Sequence, residues 1–145
     1  MYYRLPLVLV ALSAAGCDRI SGLRTDAELQ APANIECINR SIRRIPGVDK
    51  VSYRDDRSES FQIMPSRGKI MTVSYQWSYG PAEHAAVQIL DDGLQRTYFN
   101  GMQKMGEPYP PGELDRFLPL MVRVNTALER DCDLPIAAKG RISRN

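Results

Sequence analysis

The chain holds a single histidine, one tryptophan and three cysteines in 145 residues. It also lacks the short motifs that carry chemistry: no G-x-S-x-G elbow, P-loop, H-E-x-x-H helix, calcium loop or C-x-x-C pair occurs. Excess charge of one sign is missing too. Nineteen Lys+Arg face seventeen Asp+Glu, a formal charge of +2, which gives no field of the kind a nucleic-acid partner needs. Two widely separated cysteines and one imidazole do not fit zinc spacing, so neither a metal nor a cofactor is called for. No apolar run reaches the ~20 residues of a bilayer-spanning helix. The hydrophobic content, 43%, is ordinary for a folded protein. It allows one compact domain and argues against disorder throughout.

The first segment reads as an address. Met1–Arg4 carry one positive charge, and Leu5–Ala15 follow without any charge, mostly Leu, Val and Ala. A basic head and a short apolar run ending in small residues have the pattern of a secretory signal peptide, here residues 1–16. Ser13-Ala14-Ala15-Gly16-Cys17 then resembles the lipobox of bacterial lipoproteins. The match lies at Ala15, Gly16 and Cys17; Ala14 departs from the Leu most common there. The resemblance covers residues 1–17 only and implies a diacylglycerol on the Cys17 sulfur, with cleavage just before it. Asp18 resembles the signal that retains a lipoprotein in the inner membrane, which favours that membrane over the outer one.

Removing Cys17 from the count leaves Cys37 and Cys132. An even pair in an exported chain reads as a disulfide, closing a loop of about 95 residues. A metal site or a catalytic thiol is the competing use of the pair.

Residues 17–33 are small and polar without sustained period, and read as a lipid-anchored flexible tether with a reach of several tens of ångströms. A single globular domain spans 34–133. Asn34 is placed to cap a helix on which Ile35, Ile38, Ile42 and Ile45 share a face, with Arg40, Arg43 and Arg44 largely opposite and Pro46-Gly47 as the stop. Strands are expected at Val48–Arg54, Ser60–Met64, Lys69–Tyr79, His84–Leu90 and Leu94–Asn100. The third is the clearest, since Met71, Val73, Tyr75, Trp77 and Tyr79 alternate with polar residues. Asp55-Asp56-Arg57 and Asp91-Asp92-Gly93 read as turns. Residues 101–112, rich in Gly and Pro, read as a loop. A last helix runs from Glu113 to Cys132, with Pro119 expected to kink or restart it. Residues 134–145 read as a disordered basic tail.

The fold class that follows is α+β: a two-layer domain whose antiparallel sheet of four to five strands is covered on one face by an N-terminal and a C-terminal helix. Its candidate contacts are Trp77 and Tyr79 at a strand end, Tyr109 in the Pro-rich loop, and the arginines of the first helix. The best-supported function is a non-enzymatic binding or scaffold module, lipid-anchored and facing the periplasm, with an envelope protein as partner. Two others stay open. One is an immunity or inhibitor lipoprotein against a periplasmic toxin or cell-wall hydrolase. The other is a small periplasmic hydrolase using His84.

Overall fold

The computed structural model describes residues 20–57, 68–77, 85–136 and 141–144. The signal peptide, Cys17, Asp18, the expected strand at 60–64, Tyr79 and His84 lie outside them. The elements are β1 (Ile20–Leu29), α1 (Ile35–Ile42), β2 (Val48–Arg57), β3 (Lys69–Trp77), β4 (Ala85–Asp91), β5 (Arg96–Met105), α2 (Glu113–Cys132) and β6 (Arg141–Arg144). Every strand pairing is antiparallel, in the order β2-β3-β4-β5-β1-β6. The class is α+β.

The alternation along β3 buries Val73 and Tyr75 completely and Trp77 nearly so. Opposite residues of antiparallel strands share a face, so Val73↔Val87 and Ile89↔Tyr98 continue the buried row across the sheet. Ile38 and Ile42 of α1 and Phe117, Met121, Val124 and Leu128 of α2 complete one core cluster with it. Trp77 stacks at a tilt on Phe117, with ring centroids 5.6 Å apart. The Asn34 side chain accepts the Cys37 N–H at 3.0 Å and caps α1. That helix ends at Ile42, and tight turns carry the chain through Ile45 to β2. α2 passes through Pro119 as one element of 20 residues.

The expected tether is corrected. Residues 20–29 form an interior strand between β5 and β6. Its inward row is Ser21, Leu23, Thr25, Ala27 and Leu29, all buried. Small and hydroxyl side chains in that row hide the two-residue period from a hydropathy reading. The expected tail is corrected as well: Leu134 and Ile136 are buried, and β6 pairs with β1 over Leu23↔Arg144 to Asp26↔Arg141. With β1 and β6 the sheet has six strands rather than four to five.

Two turn readings also change. Asp55-Asp56-Arg57 continue β2, pairing with Met71, Ile70 and Lys69. Residues 101–105 continue β5 instead of opening a loop. Gly101 is there because β1 and β5 approach closely: a Cβ at 101 would lie 2.3 Å from the Leu23 carbonyl oxygen. Gly22 is the reciprocal case, where a Cβ would meet the Met102 carbonyl at 2.2 Å.

Candidate functional site

Cys37 and Cys132 are joined by a disulfide. The bond ties the first turn of α1 to the last residue of α2. The two helices run in opposite directions, since Ser41 reaches Asp131 while Gly47, just beyond α1, lies beside Arg123 and Leu120. Their outer sides enclose a groove of about 690 Å³. Arg40 enters it from α1, Arg44 from the turn that follows α1, and Arg123 and Arg130 from α2. Asp131 is the one carboxylate among its lining residues. Four guanidinium groups against one carboxylate make an electropositive cleft in a chain that is nearly neutral overall.

Local bonds set how that charge is used. Asp131 accepts from Arg130 Nε at 2.7 Å and from its second nitrogen at 3.2 Å. The Ser41 hydroxyl donates to the same carboxylate at 2.9 Å. Arg130 first, then Ser41, hold the Asp131 carboxyl below the usual carboxylate range. One arginine is thereby neutralised in place, and the remaining three carry the excess. Guanidinium groups converging from two rigid elements suit carboxylates and phosphates, because each offers a planar fork of donors. Arg43 does not join them: it donates to the Asn39 side chain and to the Val51 carbonyl.

Half of this site was readable from the sequence, as the basic face of α1. Arg123 and Arg130 carry no such signal in the sequence beyond their spacing: seven residues is two helical turns and puts both on one side of α2. The disulfide and the core shared by Ile38, Ile42, Val124 and Leu128 make those two faces adjacent.

The other expected contacts fare differently. Trp77 is 6% exposed and belongs to the core, so it is not a surface contact. Tyr109 is 8% exposed and lies under the Lys104 ammonium, 4.4 Å from its ring centroid. The Asp91-Asp92 pair performs turn chemistry. Asp91 accepts from Gly93 N–H at 2.9 Å, and Asp92 from Leu94 and Gln95 N–H at 2.9 and 2.7 Å. Among the described residues no group of three His, Cys, Asp or Glu side chains is placed to hold a metal. No helix among them is long and apolar enough to cross a membrane.

A second polar cluster lies inside the domain. Tyr75 OH donates to Asn100 Oδ1 at 2.7 Å, and Tyr98 OH to Asn125 Oδ1 at 2.8 Å. Asn125 Nδ2 donates onward to Thr25 at 3.0 Å. Burial pushes both tyrosine hydroxyls far up, only partly offset at Tyr75 by its bond to Asn100, so they remain neutral donors. Tyr75, Tyr98 and Asn100 are fully buried, which gives the cluster a structural role. Searches against protein-family models, curated proteins and solved structures find no match to this chain.

Proposed function

We propose that the chain is a lipid-anchored binding module, held by Cys17 and facing the periplasm, whose arginine groove receives an acidic segment of an envelope protein. The carrying observation is the cleft between α1 and α2, with four arginines around one aspartate. A disulfide-tied pair of helices presents that charge with little ordering left to do on binding, which favours affinity. The reading is non-enzymatic, and Asp18 favours the inner membrane.

The same reading takes the domain as two layers, with both helices on one face of the sheet. Contacts support it: Thr25 of β1, Tyr98 and Asn100 of β5 and Trp77 of β3 all meet α2 from the buried row.

One observation favours the inhibitor or immunity reading as a second choice. Leu94 is 97% exposed on a β4–β5 turn that Asp91 and Asp92 hold by side-chain bonds to its backbone. A rigid turn with an apolar tip suits insertion into an enzyme cleft.

The test is a photo-crosslinking residue in place of Thr126, in the membrane of a lipoprotein-exporting bacterium. The expected result is one discrete protein adduct that disappears in Arg40→Glu/Arg123→Glu and persists in Lys50→Glu. An adduct indifferent to the groove charges, or none at all, rejects the groove as the binding site.

A further inference from the structure

The strand that replaces the tether changes the geometry of anchoring. Three residue steps separate Cys17 from Ile20, the first residue of β1. Fully extended, they span at most about 10–11 Å. A bilayer is ~40–45 Å thick in all and ~30 Å in its hydrocarbon core, so each headgroup layer is only somewhat thinner than that span. A Cys17 acylated at headgroup depth therefore leaves the start of the sheet no room to stand away from the membrane.

The surface at that end fits the location. Ile20 and Met105 are direct cross-strand partners on the last β1–β5 rung. They are 49% and 64% exposed, two of five large apolar side chains open to solvent among the described residues. The rungs from Met102 to Met105 lie beyond the last described β4 rung, Ala86↔Gly101. Burying such an open apolar pair is favourable, and acyl chains beside an acylated Cys17 would bury it.

We propose that this end of the β1–β5 ribbon rests on the bilayer, with Ile20 and Met105 in contact with lipid. The inference depends on acylation of Cys17 and gives the anchored module an orientation. β5 runs toward the membrane and ends there at Met105, so its ten residues hold Leu94, which precedes it, about 30 Å from the surface. The domain is then a short upright post rather than a bait on a line, and its partner must come within reach of a fixed groove.

The test uses the full chain, purified from an exporting bacterium and reconstituted into phosphatidylethanolamine/phosphatidylglycerol vesicles. Met105→Cys and, separately, Leu94→Cys carry an environment-sensitive fluorophore, and the vesicles contain spin-labelled lipid. Intact mass reports acylation of Cys17 in the same samples. The expected result is blue-shifted emission at position 105, quenched several-fold more than at position 94. An acylated chain quenched at neither position overturns the lipid contact and leaves the anchor standing. A blue shift at 105 without quenching overturns it too, because protein rather than lipid then covers the site. A chain with no acyl mass at Cys17 overturns the anchor, and the contact with it.

Discussion

The side-chain amide of Asn100 donates to Oδ1 of Asn125 at 2.9 Å, joining the middle of β5 to α2. The same Asn125 oxygen accepts from Tyr98, and its amide reaches Thr25 on β1. One side chain on the helix thus serves two adjacent strands. A buried network with every member satisfied fixes how the helix sits; a half-satisfied one is costly. Asn125→Ala is expected to strand the Tyr98 hydroxyl and to weaken the bonding of Asn100, at about 2–4 kcal/mol. Tyr98→Phe, which deletes one donor together with its hydrogen bond, is expected to cost about 1 kcal/mol. Urea unfolding of the two variants checks the order; equal losses would reject the central place of Asn125.

Gly101→Ala tests the close approach of β1 and β5. The new methyl would sit 2.3 Å from the Leu23 carbonyl and 2.8 Å from the Arg24 Cα. Both are backbone atoms, so relief requires moving a strand. A loss of roughly 1–3 kcal/mol, the range of overpacking, is expected. The same substitution at Gly93, where no atom lies within 4 Å of the site of a Cβ, relieves or creates no clash. Its effect reports only the positive backbone angle there, so comparing the two melts separates crowding from conformation.

The bond between Cys37 and Cys132 spans a sequence separation of 95. In the chain-entropy account such a loop contributes about 4–5 kcal/mol by restricting the unfolded chain. The Cys37→Ser/Cys132→Ser pair is expected to lose stability of that order and to weaken groove-dependent crosslinking. Serine at both positions leaves no lone thiol to confuse the result. Unfolding with and without reductant makes the comparison, and a reductant-insensitive parent would contradict it.

What could be read in advance follows from where the signal lies. Ile35, Ile38, Ile42 and Ile45 mark α1 because large apolar side chains repeat at helical spacing over a polar background. The row from Met71 to Trp77 marks β3 by the same logic at period two. β1 escapes because its inward positions include Ser21, Thr25 and Ala27, small or hydroxyl residues that are buried all the same, Thr25 with its hydroxyl bonded by Asn125 of α2. Gly101 reads as a strand breaker until its neighbour across the ladder is known. The groove needed both kinds of information. Arg40 and Arg44 are visible as a basic run, whereas Arg123 and Arg130 gain meaning only once α2 is known to pack alongside α1.

Acid is expected to unpick specific turns. Gly93 N–H first, then Arg96, hold the Asp91 carboxyl below its ordinary range; Gln95 N–H first, then Leu94 N–H, do so for Asp92. A carboxyl with a depressed folded pKa binds fewer protons folded than unfolded. Its contribution is complete above the unfolded value, ~3.9, and is lost as pH falls through the lower folded value. Asp92→Ala should therefore melt below the parent at neutral pH, with the gap closing once the pH drops below about 4. A gap that persisted in strong acid would mean that the aspartate works by something other than its charge.

The groove carries its own internal control in Asp131. Its carboxylate engages Arg130 and the Ser41 hydroxyl, and so competes with an incoming anion for the same donors. Asp131→Asn keeps the shape, removes one negative charge and frees Arg130. An acidic peptide is then expected to bind more tightly, with a steeper fall as salt is raised, because more charge is neutralised on binding and screening acts on all of it. Arg123→Gln is expected to move both quantities the other way. Titrating a fluorescent polyglutamate peptide at two salt concentrations reads both variants against the parent. If Asp131→Asn weakened binding, the aspartate would be part of the recognition surface itself, and the cleft would be suited to a cationic rather than an anionic partner.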